Sequence, residues 1–237
     1  MRLVNTDTLK LEEFEGDIPL YAILSHRWGK DEVTFQDVQT GQAGKRGGYP
    51  KFEIACKTAR FHGFDYIWND TCCIDKTSSA ELSESINSMY RWYQESGVCY
   101  AYLADVKSGV DCGYKPHKAS PTWKDPCFRN SEWFGRGWTL QELIAPSAMI
   151  FYDHQWQDLG TKLGLCSIIS EVTGIPEAIL RGGPLSSASV AQKFSWAAAR
   201  ITTRIEDRAY SLMGLFGVNM PMLYGEVSLD PSAKGPR

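Results

Sequence analysis

The chain has 237 residues, of which 43% are apolar and 22% charged, and its net charge is −3. That length makes one large domain or two small ones, with enough buried surface to fold without a metal or disulfide staple. The slight acidic excess argues against a general phosphate-backbone binder, so no nucleic-acid partner is expected.

The longest purely apolar run, Val98 to Ala104, is far short of the roughly 20 residues that span a bilayer. The opening Met1-Arg2-Leu3-Val4-Asn5 lacks the apolar core of a secretory signal. A soluble, cytoplasmic protein without a membrane span is therefore expected. Seven cysteines with no CxxC pair fit reduced thiols better than a zinc ribbon or a redox motif. Cys112, His117 and Cys127 are three candidate ligands at irregular spacing, a weaker signal than loose thiols, and no metal site is expected.

In chain order, Leu20 to Ser25 is a compact apolar strand after Pro19. Gly41, Gly44, Gly47 and Gly48 mark a surface loop. Pro50 suits a first helical turn, Phe52, Cys56 and Ala59 make one face, and Gly63 can end that helix. Residues 66–69 read as a second buried strand. Ser78-Ser-Ala-Glu81 has the form of a capping box. It opens a helix with Leu82, Ile86, Met89, Tyr90 and Tyr93 on one side.

Residues 98–103 form a third strand, continuously apolar as expected when both faces are covered. A short helix over Thr139 to Ile144 leads to a fourth strand at 149–152. Alternating strands and helices predict an α/β fold with right-handed crossovers and a central parallel sheet. From Thr161 onward the pattern is helical only. This divides the chain into an α/β core over about 1–155, an all-helical C-terminal cap over 156–226 and a frayed tail over 227–237.

In an open parallel sheet, ligands bind beyond the carboxyl ends of the strands. Those ends supply Ser25, His26, Arg27 and Trp28 after the first strand, Asn69, Asp70 and Asp75 after the second, and Asp105 after the third. The segment feeding the fourth supplies Trp133, Arg136, Trp138, Gln141 and Glu142. Such an edge suits a ligand with phosphates and flat rings. Each member also has a plain structural role open to it. A lone histidine such as His26 is more often structural than catalytic. Asp70 and Asp75 are equally suited to capping turns, and Arg27 and Arg136 to pairing with those aspartates. Trp92, Trp156 and Trp196 are read as core. No dinucleotide-binding, Walker, Gly-x-Ser-x-Gly or His-Glu-x-x-His motif is present. The residues alone thus give a polar, aromatic-rich cleft and no reaction.

Several ordered blocks together resemble the fungal heterokaryon-incompatibility (HET) domain, especially the version at the N-terminus of NLR-like receptors. They are Tyr21-Ala-Ile-Leu-Ser-His-Arg-Trp-Gly29 with Glu32-Val-Thr-Phe35, Tyr66-Ile-Trp-Asn-Asp-Thr-Cys-Cys-Ile-Asp-Lys76 and Ser83 to Asp105. Two more are Trp133-Phe-Gly-Arg-Gly-Trp-Thr-Leu-Gln-Glu-Leu-Ile-Ala-Pro146 and Arg204 to Phe216. The likeness covers residues 1–226 and implies an effector of regulated cell death on non-self recognition. It implies self-association and an NLR-type receptor or other death-signalling protein as partner. Asn69 departs from the pattern, standing where an apolar residue is expected, and the chain diverges from it at Val227.

The HET domain is in turn similar to the TIR domain, which implies a TIR-like, flavodoxin-like sheet. Leu24-Ser-His-Arg-Trp-Gly-Lys-Asp31 is similar to the segment after the first TIR strand, and Ser131 to Leu143 is similar to the segment carrying the glutamate of NAD-cleaving members. That resemblance implies Glu142 as catalytic residue. Taken with the strand-end residues, it makes Ser25, Arg27, Trp28 and Trp138 substrate-binding candidates and Asp70 and Asp75 second-tier ones, with NAD as substrate and no bound cofactor. A non-catalytic death-signalling adaptor is the competing expectation, since fold likeness alone does not fix an activity.

Overall fold

The computed structural model describes residues 1–107 and 126–225. Seven strands form one sheet: β1 (Arg2–Asn5), β2 (Leu11–Glu13), β3 (Tyr21–His26), β4 (Tyr66–Trp68), β5 (Val98–Tyr102), β6 (Met149–Tyr152) and β7 (Asp158–Thr161). Their order is β2-β1-β4-β3-β5-β6-β7. The four inner strands are parallel: Ala22 faces Ile67 across β3 and β4, Leu24 faces Tyr100 across β3 and β5, and Ala101 faces Phe151 across β5 and β6. Antiparallel strands close both edges, β1 on β4 and β7 on β6. All six residues of β3 are buried, which is why its run from Tyr21 to Leu24 is uniformly apolar rather than alternating.

The helices are α1 (Phe35–Gln39), α2 (Tyr49–Phe61), α3 (Ser79–Glu95), α4 (Pro126–Arg129), α5 (Thr139–Ile144), α6 (Cys166–Thr173), α7 (Glu177–Leu180), α8 (Val190–Ala198), α9 (Asp207–Tyr210) and α10 (Met213–Phe216). Pro50 lies in the first turn of α2, and Phe52, Ala55, Cys56 and Ala59 form its buried face. One apolar core joins the sheet, α2 and α3 to residues well beyond β7, including Ile169, Leu180, Trp196 and Leu215. A smaller cluster of Ile86, Tyr210 and Met213 fastens the last helices to α3. No helix among the described residues is long and apolar enough to cross a membrane.

Several expectations from the sequence shift. The first strand is Tyr21–His26, so Leu20 stays exposed and His26 enters the sheet. The edge strands β1 and β2 have too little apolar alternation to stand out. β7 lies inside the stretch 156–226 expected to be all helical. The turn before it is set by Asp153, whose Oδ1 accepts from the backbone N–H groups of Gln155 and Gln157. With four residues, Asp-Leu-Gly-Thr, β7 is invisible to a periodicity argument.

The capping box at Ser78 forms by half. Ser78 Oγ accepts from the Glu81 amide at 3.3 Å, but the Glu81 carboxylate turns away to the Asp75 amide and to Arg2. Asn69 is buried at the end of β4, and its Oδ1 accepts from the Thr71 amide and hydroxyl. There a polar side chain closes a turn that an apolar one would leave unsatisfied. Cys112, His117 and the segment from Val227 lie outside the described residues.

Gly214 tests how tightly the final helices are seated. A Cβ at this position would overlap the Cβ of Tyr90 on α3. Gly214→Ala is expected to cost about 1–3 kcal/mol by overpacking, read as a lower urea midpoint in a single transition. An unchanged midpoint would mean that α10 is not held against α3 as described.

Candidate functional site

The parallel strands follow the order β4-β3-β5-β6. The chain therefore leaves β3 to one side for β4 and returns to the other side for β5 and β6. A crevice beyond the strand ends is expected at such a reversal, between β3 and β5. The last two residues of β3 there are Ser25 and His26.

Ser25 is completely buried. Its Oγ donates to Glu142 Oε2 at 2.5 Å and accepts from Trp133 Nε1 at 2.9 Å. Trp133 is held by Phe134 and Phe151, which meet it edge-on. Glu142 is 7% exposed and lies on α5. The start of that helix is clamped by Thr139, whose Oγ1 donates to the carbonyls of Trp133 and Arg136. Arg200 braces the same point, its Nη1 donating to Thr139 Oγ1 and to the Arg136 carbonyl, each at 3.0 Å.

The electrostatics follow from this enclosure. Burial pushes the Glu142 carboxyl up to about 8, against the pull of its Ser25 hydrogen bond and of Arg136 and Arg200, and Asp70 pushes it further up. Glu142 is thus largely protonated at neutral pH. Beside it, the Tyr93 hydroxyl donates to the Leu24 carbonyl at 3.1 Å. Burial first, and then Glu142, push Tyr93 well above the usual phenol range.

A second group lies nearer solvent. Trp28 Nε1 donates to Asp70 Oδ2 at 2.8 Å, and Lys76 Nζ sits 3.4 Å from the centroid of the exposed Trp28 ring, a cation–π contact. Burial raises the Asp70 pKa, while Lys76, Trp28 and Lys51 oppose the rise. Glu32 Oε1 accepts from the Gly29 amide and from Lys51 Nζ, both at 2.5 Å. The His26 ring is fully enclosed, with its Nε2 3.8 Å from Glu32 Oε2, and neither ring nitrogen has a hydrogen-bond partner among the described residues. Burial, then Lys51, Lys76 and Arg136, hold it neutral. Outside this group opens a cleft of about 300 Å³ lined in part by Trp28, Phe35, Gln36, Arg46, Thr71 and Lys76.

The structure therefore joins Ser25 to Glu142 and Trp28 to Asp70, and sets the two pairs near enough to feel each other's charge. It does not bring in the other three candidates. Arg27 points outward and pairs with Glu132. Asp75 shapes the turn before α3, accepting from the Thr77 amide and hydroxyl and from Gln36 Nε2, bonds that keep it below the usual carboxylate range. Trp138, one turn before Glu142, packs with the cluster of Ile86, Tyr210 and Met213.

Three residues escaped the sequence reasoning as site members: Tyr93, Lys51 and Arg200. A tyrosine in the aliphatic stripe of α3 was the available signal for Tyr93, because a buried phenol seeks a polar partner. Lys51 and Arg200 carried none. No cluster of metal-ligating side chains occurs among the described residues.

The family model for heterokaryon incompatibility protein (HET) matches residues 21–142, from the first residue of β3 to Glu142. The chain belongs to the HET family. Over 213 residues, 89% of its length, this HET chain is 46% identical to vegetative incompatibility protein HET-E-1 of Podospora anserina, and it spans 15% of that relative's length. No solved structure matches it.

The raised Glu142 pKa has a definite sign in stability. Folding favours the protonated acid. The stabilisation is complete below the unfolded pKa of about 4.3 and is lost as pH rises through the folded value of about 8. Glu142→Gln, which cannot ionise, is expected to gain on the wild type by roughly 2–4 kcal/mol between pH 4.5 and pH 9. Urea denaturation of both proteins across that range checks it. A gap that does not change with pH would show that the carboxyl is not enclosed.

Proposed function

We propose that this HET chain is the effector module of a fungal non-self recognition response, and that it triggers regulated cell death in the cytoplasm by cleaving NAD at the nicotinamide–ribose bond. The observation that carries the proposal is the Glu142 carboxyl, enclosed on Ser25 at the reversal point of the sheet and near enough to Asp70 to feel its charge; the cleft outside Trp28 is lined by Lys30, Arg46 and Lys76 together with Asp31 and Glu32. The strand order supports the TIR-like, flavodoxin-like comparison. The 46% identity to a protein named for vegetative incompatibility supports the biological setting.

NAD is the substrate, and no bound cofactor is called for. The C–N bond breaks with its electron pair leaving on nicotinamide, which departs neutral and needs no proton. Positive charge grows on the ribose, so the useful form of Glu142 is the carboxylate, as in glycoside hydrolysis. Water then adds to the ribose carbon and gives up a proton, which Glu142 can take. Ser25, freed from Glu142, can donate to a ribose oxygen, while Trp28 offers a flat face and Lys76 offers charge for the diphosphate.

The resting site, with Glu142 neutral and enclosed, is off. Self-association, or engagement by an NLR-type receptor or another death-signalling protein, opens it to substrate. The same enclosure is the observation that favours the second reading, a non-catalytic adaptor in which the Ser25–Glu142 pair only holds α5 against β3.

NAD consumption by concentrated protein, followed from pH 6 to 9, separates the two. Hydrolysis is expected to rise with pH, with a midpoint below the enclosed value of about 8 because opening hydrates the carboxylate. Glu142→Gln should lower turnover by at least about 10²-fold while remaining folded. A folded Glu142→Gln protein that still kills expressing cells would leave the adaptor.

A further inference from the structure

A second groove, also of about 300 Å³, lies between α8 and α9, next to the segment that precedes α5. Two arginines line it and no carboxylate does. Arg200 is only 7% exposed. It spends Nε on the Trp196 carbonyl and Nη1 on Arg136 and Thr139, yet its Nη2 has no hydrogen-bond partner among the described residues. A buried guanidinium donor left without an acceptor is costly, and no acid forms an ion pair with it among the described residues. Burial lowers its pKa to about 10, so it remains charged at neutral pH. Arg208, on α9, is exposed and likewise lacks an ion-pair partner among the described residues.

The remaining walls are apolar or hydroxyl-bearing. Thr202 and Ser211 stand beside the arginines. Phe194 is 54% exposed and rests on Phe216 with ring centroids 5.0 Å apart. Arg208, with no ion pair among the described residues, and Arg200, with Nη2 as its one unused group there, supply two guanidinium groups to the lining that suit phosphate oxygens, and an exposed, backed phenyl ring offers a stacking face.

We propose that this groove binds a phosphate ester carrying a flat ring, with the phosphate on Arg200 and Arg208 and the ring against Phe194. The site is separate from the cleft at Trp28 and does not depend on NAD cleavage. Because Arg200 also holds Thr139 and the Arg136 carbonyl, the bound ester would share its anchor with the segment that starts the Glu142 helix.

Calorimetric titration of the full chain at low salt with phenyl phosphate and with inorganic phosphate tests this. Both are expected to bind saturably, phenyl phosphate more tightly. Arg208→Ala, a surface change that spares the fold, should weaken both by at least about tenfold. Phe194→Ala should remove the advantage of phenyl phosphate. The inference is overturned if neither probe saturates, if phenyl phosphate gains nothing from its ring, or if the advantage survives in Phe194→Ala. Binding that is unaffected by Arg208→Ala but lost in Lys76→Ala would put the anion in the first cleft and overturn it equally.

Discussion

A carboxyl group closed off at the end of a parallel sheet has two ways to be tolerated: it keeps its proton, or it finds a counter-charge within bonding distance. Glu142 takes the first. Its one short hydrogen bond comes from Ser25, a neutral donor, and the nearby guanidinium groups pull on it without forming an ion pair. Much of the surrounding structure maintains this state. The continuous burial of β3 places Ser25 out of water, the indole of Trp133 fixes the serine hydroxyl, and Arg200 pins the first turn of α5 from the C-terminal side. Helices that follow β7 thereby take part in holding a group that belongs to the sheet edge.

Beside this dry pair lies a charged zone of different character. Glu32 with Lys51, and Asp70 with Trp28 and Lys76, make a network whose members are each partnered. His26, next to Ser25 in the chain, is neutral and has no side-chain hydrogen bond among the described residues. Salt screens groups at the solvent face but hardly reaches enclosed ones, so conditions that tune the cleft leave the Glu142 proton largely alone. A change of state at Glu142 needs movement of the chain around it.

The parallel core was legible in the sequence because buried strands announce themselves as apolar runs: residues 98–103 and 149–152 match β5 and β6 nearly to the residue. β1, β2 and β7 were not, because Arg-Leu-Val-Asn, Leu-Glu-Glu and Asp-Leu-Gly-Thr form no sustained apolar run and each strand is fixed by antiparallel backbone pairing. The site divided in the same way. Ser25 and Glu142 follow from the rule that ligands gather at strand ends, and both meet there. Arg27 was sent outward by the availability of Glu132. Asp75 was claimed by its own turn, a local bond that an aspartate two residues before a threonine makes readily. Arg200 was beyond reach because its partners lie more than sixty positions away. Whether a polar residue serves a turn or a site is decided by such long-range packing.

The protonation state of Glu142 underlies the whole account, and it can be observed directly. Carbon-13 NMR of protein labelled at the glutamate side-chain carboxyl, with the Glu142 resonance assigned by its loss in Glu142→Gln, gives the titration of that single group. The account predicts a midpoint near the folded value of about 8. A midpoint near the ordinary glutamate value of about 4.3 would contradict it, because the carboxyl would then be ionised and solvated at neutral pH and the enclosure on Ser25 would not exist in solution.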